Sequence, residues 1–390
     1  MVGIDTITLT FAPTDIIIGD TGRFTPNAAT VLGADARSMG GNKYISAKCN
    51  PTRQEVAAYG YLPYVTLYKA LRSGGLSAGL RVQFSATKLL YGNNFDELES
   101  GDFMAVCRRL RDSLRYYGIT VQGGLPTVAA AKVAGVHYAK NFVFTDYTTA
   151  REVIQELQKC DVNSWRTVSS SDYSNNGYGY KTHSKYHELA FYDKLAELTK
   201  DKRGQAVFDK DAQTQLNLFH NRQMVRPFEV LRMEVRLNNA AVIKRHLTKV
   251  GLKPSLSLSE ICTQSYSQAV LAYHLQELYA AYPRIAEASV DDPLQLLSDL
   301  YVQNPERSMS TIVNAVGLYA LSKHAGTRAM KDVVGSKGSQ ALMRLSKRAN
   351  GELRYRSQKA EVFQVLERDL NDFKPVRLEN YDSNNHDRNR

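Results

Sequence analysis

One tyrosine, Tyr192, lies in a setting that could support nucleophilic chemistry. It stands in the segment HELAFYDKLAEL, with Asp193 and Lys194 directly after it. A phenol with a pKa of about 10 is a weak nucleophile, and it attacks a phosphate only where a cation stabilises the developing charge. Lys194, two residues on, would lie on the same face of a strand and could supply that charge. Tyrosine is also common in strands, and the chain has 23 of them, so the spacing alone leaves a structural role open.

Three more polar residues could form a metal site, because each is flanked by apolar residues in a segment with strand character. They are Gln83 in LRVQFSA, His137 in VHYAKNF and Glu234 in LRMEVRL. One nitrogen and two oxygen ligands suit Mg²⁺ or Mn²⁺, which can polarise a scissile phosphate. The alternative is that His137 is a hydrogen-bonded, semi-buried histidine and Gln83 a residue of the sheet surface.

Further side chains near these residues could contact phosphate. Arg232 and Arg236 bracket Glu234 at two-residue spacing, so either could clamp a phosphate or pair with Glu234 itself. His183 and His187 precede Tyr192 and would share a face of an extended chain. All four have a structural alternative.

The elements that must position these groups can be read from periodicity. Apolar and polar residues alternate as in half-buried strands over residues 4–11, 61–68, 80–86, 136–144, 188–193 and 229–237. Helical periodicity covers residues 101–117 and 148–159, the latter with Thr148 as a plausible cap. Residues 168–180, rich in Ser, Asn and Gly, predict a flexible loop. This mixture predicts an α+β nuclease domain over residues 1–250, with a central antiparallel sheet and helices packed on one face.

The chain changes character after residue 250. Helical periodicity dominates, which predicts a mainly helical domain over residues 251–380, followed by a polar tail at 381–390. Residues 323–359 hold ten Lys and Arg against two acids. Two short helices over 326–334 and 337–349, with a turn at Gly335, would form a helix-turn-helix. The cations expected to contact DNA are Lys337, Arg344, Lys347, Arg348, Arg354 and Arg356. A solvated, charged helix pair is the alternative.

The overall composition favours a nucleic-acid partner and a reducing compartment. The formal net charge is +11, which suits polyanions but also an ordinary basic protein. The four cysteines are far apart and show no C-x-x-C spacing, so we expect reduced thiols in the cytoplasm of a bacterial host rather than a zinc knuckle. The N-terminus has no signal-peptide pattern. The sequence contains no run of 18 apolar residues, so we expect no helical membrane span.

Several blocks of the sequence resemble the replication-associated gene II proteins of filamentous phages and, more loosely, Rep_trans plasmid initiators. LRVQFSATKLLYGNNFDEL is the most specific block, because the family has a segment of the type LR-x-E-F-S-x-P-K-LL-x-GNN-F there. IDTITLTF, VHYAKNFVF, ELAFYDKLAEL and VLRMEVRLNNAAVIKRHL resemble the other family strands. The sequence departs from the family pattern at Gln83, where Glu is expected, at His137, where Asp is expected, and at Gly135, where Arg is common.

The resemblance implies a rolling-circle replication initiator with an HUH-like fold. Tyr192 would be the tyrosine that becomes joined to DNA, Lys194 the basic residue after it, and Glu234 a ligand of the Mg²⁺ or Mn²⁺ ion. The expected partners are origin DNA, double-stranded and single-stranded, together with a host helicase and DNA polymerase. Tyr186 is the nearest second tyrosine for strand closure. The alternative function is a DNA-binding replication regulator without catalysis.

Overall fold

The computed structural model describes residues 1–26, 44–72, 75–162, 167–172, 177–184, 187–199 and 228–381. The strands in these ranges are β1 Ile4–Phe11, β2 Ile16–Ile18, β3 Thr25–Pro26, β4 Tyr44–Cys49, β5 Tyr64–Arg72, β6 Gly75–Ser85, β7 Ile119–Val121, β8 Lys132–Phe144, β9 Thr167–Asp172, β10 Tyr178–His183, β11 His187–Asp193 and β12 Glu229–Leu237. The helices are α1 Arg53–Tyr59, α2 Ala86–Tyr91, α3 Phe103–Tyr116, α4 Leu125–Ala130, α5 Ala150–Leu157, α6 Lys194–Thr199, α7 Ala240–Lys249, α8 Leu258–Ile261, α9 Gln264–Tyr279, α10 Pro293–Gln303, α11 Met309–His324, α12 Gly326–Glu352 and α13 Glu361–Asp372.

Ten of the described strands form one antiparallel sheet. Their order is β3-β4-β5-β6-β1-β8-β12-β11-β10-β9, while β2 and β7 pair separately. The long strands β8 and β12 lie near the centre, so the residues they carry are enclosed by strands on both sides. This large sheet, followed by a mostly helical C-terminal part, confirms the predicted α+β class.

An apolar core stabilises the sheet. Its side chains alternate along the strands with polar side chains. Ile7 and Leu9 of β1 are fully buried, whereas the threonines on either side of them are half-buried. Helix α3 packs into this core through Val106, Leu110 and Leu114, as its periodicity predicts. Each such side chain contributes about 1.5–3 kcal/mol by leaving water.

Two local predictions are wrong. Helix α5 is capped by Thr149 rather than Thr148, because the Thr149 hydroxyl accepts a hydrogen bond from the Glu152 amide at 3.1 Å. Much of the expected loop over 168–180 is strand: β9 and β10 pair antiparallel at the sheet edge. Hydrogen bonds along the ladder override the weak strand propensity of its Ser-rich sequence. Residues 173–176 lie outside the described residues.

A second apolar core lies within the C-terminal helices. Residues of α10 and α11, among them Leu296, Leu300 and Ile312, pack there with Met330 of α12. Helices α9 and α13 instead contribute to the core of the sheet. The predicted boundary at residue 250 stays a prediction, and the polar tail after Tyr381 lies outside the described residues. None of the described helices is long and apolar enough to cross a membrane.

Candidate active site

Tyr192 lies near the end of β11 with its hydroxyl directed at a carboxylate of the neighbouring strand. Its register partner on β12 is Arg232, and its hydroxyl donates a hydrogen bond to Glu234 Oε2 at 3.3 Å. Burial, followed by the negative charge of Glu234, raises the pKa of Tyr192 well above its ordinary value. The phenol is therefore protonated at neutral pH in this arrangement, and added positive charge beside Glu234 would favour its ionisation.

Glu234 is the centre of the polar cluster. It is only 2% exposed, its Oε1 lies 3.2 Å from His137 Nδ1, and Arg236 donates to both of its oxygens at 3.1 and 2.9 Å. Burial alone would raise the pKa of Glu234, but the hydrogen bond of His137 and the charge and hydrogen bonds of Arg236 lower it well below its ordinary value. The cluster therefore contains a permanent carboxylate.

Asp5 completes this cluster, although no sequence pattern singled it out. One ligand-type atom from each of Asp5, His137 and Glu234 lies within 4.8 Å of the other two. The pairing of β1 with β8 shifts register between Ile4 and Ile7, so the ladder is irregular here. At such an irregularity a side chain can point to the face of the sheet opposite to the one that strict alternation predicts. The adjacent polar pair Asp5-Thr6, which interrupts the alternation of IDTITLTF, was the available signal.

Gln83 lies on the same face of the sheet but farther from the cluster. It is opposite Thr8 of β1, and Thr8 is in turn opposite Gly135 of β8, two residues before His137. Directly opposed residues share a face, so the register places Gln83 on the face of the sheet that carries His137. The Gln83 side chain is exposed, and β1 separates its strand from β8. Its role as a ligand stays a prediction.

Lys194 is placed by a helix rather than by the strand. Strand β11 ends at Asp193 and α6 begins at Lys194, so the prediction that Lys194 shares a strand face with Tyr192 is wrong. The lysine nevertheless lies beside the tyrosine: its Nζ is 5.7 Å from the centre of the Tyr192 ring and 3.0 Å from Glu197 Oε2. Burial lowers the pKa of Lys194 to about 8, against the opposing effect of Glu197.

The two arginines of β12 are bound within the protein. Arg232 is 3% exposed; its Nη2 lies 2.9 Å from Asp5 Oδ1, and its Nη1 donates to the Asn94 carbonyl at 2.9 Å. The expectation that Arg232 contacts DNA is not met in this arrangement, because a guanidinium enclosed by these partners does not reach the surface. Arg236 is partly exposed but pairs with Glu234 and with Glu188, the latter at 2.8 Å. Pairing with Glu234 was the alternative interpretation of Arg236, and its contact with DNA stays a prediction.

The GNNFDEL segment of the sequence forms a buried polar network with strand β8. The Asn93 side chain accepts hydrogen bonds from the amides of Phe95 and Asp96 at 3.0 and 2.9 Å, which fixes the turn. Glu97 accepts from Lys140 Nζ at 2.7 Å and from the Asn141 amide at 2.6 Å. These hydrogen bonds hold the GNNFDEL segment against the KNF segment of β8.

The two histidines before Tyr192 do not share a strand. His183 ends β10 and is exposed, whereas His187 begins β11 and is buried. The imidazole of His187 contacts His246 and His274 on the side of the sheet opposite to Tyr192. Burial lowers the pKa of His246 to about 4. Tyr186 lies outside the described residues.

The basic C-terminal segment is a helix broken at Gly335. This residue has φ 66° and ψ −172° inside α12, so the chain turns where the sequence predicts a turn. The cations expected to contact DNA lie in the same segment, and all six of these residues are exposed: Lys337, Arg344, Lys347, Arg348, Arg354 and Arg356. Exposure permits contact with DNA but also fits a solvated pair of helices, so their role stays a prediction.

Comparison with known protein families gives a match for part of the chain. Residues 68–253 match the family model that describes the N-terminal part of the replication-associated gene II protein. The matched range includes Gln83, His137, Tyr192 and Glu234 and leaves out Asp5. No curated protein and no solved structure matches the chain.

Proposed function

We propose that the chain starts rolling-circle replication by cutting one DNA strand with Tyr192. Residues 68–253 match the family model for the N-terminal part of a replication-associated gene II protein, and this match supports a general role in starting replication. The particular chemistry is our proposal, and the arrangement of side chains around Tyr192 supports it.

The observation that carries the proposal is the contact between Tyr192 and Glu234. A tyrosine hydroxyl 3.3 Å from a carboxylate oxygen, in a cluster that also holds Asp5 and His137, brings a nucleophile to a set of oxygen and nitrogen donors. Two carboxylates and one imidazole are a suitable donor set for Mg²⁺ or Mn²⁺. A divalent ion bound there would polarise a phosphodiester oxygen.

The surrounding cations have separate tasks in this proposal. Arg232 is fixed by Asp5 and the Asn94 carbonyl, so it positions Asp5 rather than touching DNA. Lys194 lies beside the Tyr192 ring, where its ammonium group would stabilise the phenolate or phosphate charge that develops during attack. Arg236, partly in solvent, would hold Glu234 in its orientation.

The proposed reaction is a transesterification. The Tyr192 oxygen attacks phosphorus in line, the bond from phosphorus to the 3′ oxygen breaks, and the tyrosine proton is transferred overall to that oxygen. The products are a 5′-phosphotyrosyl linkage and a free 3′-OH, from which a host polymerase would extend while a host helicase separates the strands. Reversal of the same step would join the displaced strand, so neither cutting nor closing needs ATP.

Nicking of supercoiled DNA that carries the origin tests the assignment of Tyr192. We expect the wild-type protein to produce nicked circles with Mg²⁺ or Mn²⁺, and Tyr192→Phe to produce none because it lacks the nucleophile. Tyr301→Phe, which changes an exposed tyrosine of α10, is the matched control and should nick normally. Nicking that survives in Tyr192→Phe would refute the role of this residue.

A second comparison tests which side chains hold the ion. If Asp5 is a ligand, Asp5→Asn should require a much higher Mg²⁺ concentration for half-maximal nicking. Gln83→Ala should have the same effect only if Gln83 also reaches the ion. Equal Mg²⁺ requirements for wild type and Asp5→Asn would remove Asp5 from the ligand set.

The second candidate function is a DNA-binding regulator of replication without catalysis. The exposed cations after Gly335 favour it as much as they favour an initiator, because both need to bind DNA. The nicking assay separates the two: DNA binding by a wild-type protein that leaves the DNA uncut under every metal condition would support the regulator.

A further inference from the structure

Three buried histidines meet on the side of the sheet opposite to Tyr192. His187 begins β11, His246 lies in α7 and His274 lies in α9; their exposed fractions are 9%, 4% and 0%. One ring nitrogen from each lies within 4.8 Å of the other two. His187 and Tyr192 are five residues apart on one strand, so their side chains leave opposite faces. This cluster is therefore separate from the candidate active site.

The spacing of the three rings fits a common centre. Their centroids are 4.9, 5.2 and 5.3 Å apart. Imidazoles bound tetrahedrally to one ion through bonds of about 2.0–2.1 Å would have centroids about 5 Å apart. All three centroid distances therefore agree with those expected around a single ion. The rings of His187 and His246 are inclined to each other at 66° and those of His187 and His274 at 39°, while those of His246 and His274 are nearly stacked, at 28°.

Two of the histidines have an outer partner of the kind that orients a metal ligand. His246 Nδ1 lies 2.9 Å from the Val242 carbonyl of its own helix, so that nitrogen carries the proton and Nε2 has the lone pair. His187 Nδ1 lies 3.2 Å from Ser184 Oγ. Histidines that bind metals commonly engage their other ring nitrogen in this way, which fixes the ring and its tautomer.

The third histidine lies beside a carboxylate. His274 Nδ1 is 3.3 Å from Glu277 Oε2, while Glu277 Oε1 accepts a hydrogen bond from the Tyr273 hydroxyl at 2.8 Å. A chain from carboxylate to imidazole to metal is a recurrent arrangement at zinc sites. Each of the three imidazoles therefore has a polar neighbour at Nδ1, as a hydrogen bond for His246 and His187 and as a close contact for His274.

We propose that His187, His246 and His274 bind a divalent transition-metal ion of the Zn²⁺ type. Three neutral imidazoles favour zinc over magnesium, which prefers oxygen. The ion would join β11 to α7 and α9, and so fasten the strand that carries Tyr192 to the helices that follow the sheet. The proposal does not rest on the proposed nicking activity, because the site lies on the other face and its test measures metal content and stability.

Metal analysis of the full chain tests this site. The untagged protein, purified from zinc-supplemented cells and dialysed against metal-free buffer, should retain about one zinc ion per chain. His246→Gln and His274→Phe should each lose most of it. His183→Gln, which changes an exposed histidine only four residues from His187, is the matched control and should retain the ion, as should His137→Gln at the other cluster.

Two further measurements keep the proposal testable if a buried variant does not fold. Co²⁺ added to the metal-free wild-type protein should give the visible absorption of a tetrahedral site, and Zn²⁺ should abolish it by competition. Zn²⁺ should also raise the melting temperature of the wild type. A wild-type protein that retains no zinc and shows neither effect would overturn the proposal and leave three histidines that are packed together without an ion. Loss of zinc in His137→Gln but not in His274→Phe would overturn it as well.

Discussion

Replacing Glu97 with glutamine tests whether the buried network behind the active site determines the stability of the sheet. Glu97 is 5% exposed and Lys140 2%. Glu97 Oε2 accepts from Lys140 Nζ at 2.7 Å and from the Val376 amide at 3.0 Å, and Oε1 accepts from the Asn141 amide at 2.6 Å. Whichever oxygen becomes the amide nitrogen in the Glu97→Gln variant, one donor then faces another donor.

The expected cost follows from what the substitution leaves behind. Lys140 keeps the Lys374 carbonyl at 2.7 Å but loses its counter-charge, and an uncompensated buried charge costs about 3–5 kcal/mol. Lys140→Met in the same chain removes that charge. The double variant Lys140→Met/Glu97→Gln should therefore be less destabilised than the sum of the two single variants, by about 0.5–3 kcal/mol.

Urea unfolding followed by circular dichroism measures this effect. The matched control is Asp172→Asn, since Asp172 pairs with Arg151 at 3.0 Å but both side chains are largely in solvent; exposed pairs contribute little. Glu97→Gln should unfold at a clearly lower urea concentration than the control. If both variants unfold together with the wild type, the network does not stabilise the sheet as argued.

Three other outcomes follow from the same structure. The nicking rate should fall as pH rises through about 8, because Lys194, with its lowered pKa, is charged below that pH and neutral above it; Lys194→Arg should move the fall to higher pH in a pH–rate profile. Gly335→Ala should lower the melting temperature, because φ 66° and ψ −172° cost a residue with a Cβ about 1–3 kcal/mol; Gly351→Ala, at an open helical position, should not. Arg344→Ala and Lys347→Ala should each weaken binding to origin DNA and reduce the slope of log affinity against log salt by about 0.9, whereas unchanged slopes would favour a solvated helix.

Much of the sheet could be predicted from alternation alone. The segments 4–11 and 229–237 coincide with β1 and β12. Strands that carry polar residues on one face show an alternation of apolar and polar residues that is visible in the sequence. Alternation predicts the two strands that carry Tyr192 and Glu234, and the structure shows that these strands are neighbours whose register brings the two side chains into contact.

The features of the site that the sequence did not predict depend on irregularities of the strands and on tertiary packing. Asp5 reaches the cluster through a register shift, which alternation cannot anticipate. Lys194 lies beside Tyr192 although the strand changes to a helix at that residue, a change that the alternation did not predict. Arg232 has the sequence pattern of a surface cation, but two neighbouring strands and the Asn94 loop enclose it. The histidine cluster joins residues far apart in the chain, so no local pattern could reveal it.

The most direct test of the central claim is to locate the covalent bond between protein and DNA. The protein is incubated with supercoiled origin DNA and Mg²⁺ or Mn²⁺, and the complex is digested with nuclease and trypsin. The tryptic peptide YHELAFYDK carries both Tyr186 and Tyr192, so its fragment masses must separate the two. The account predicts a 5′-linked nucleotide on Tyr192. A nucleotide on Tyr186 alone, or nicked DNA without any adduct, would contradict it.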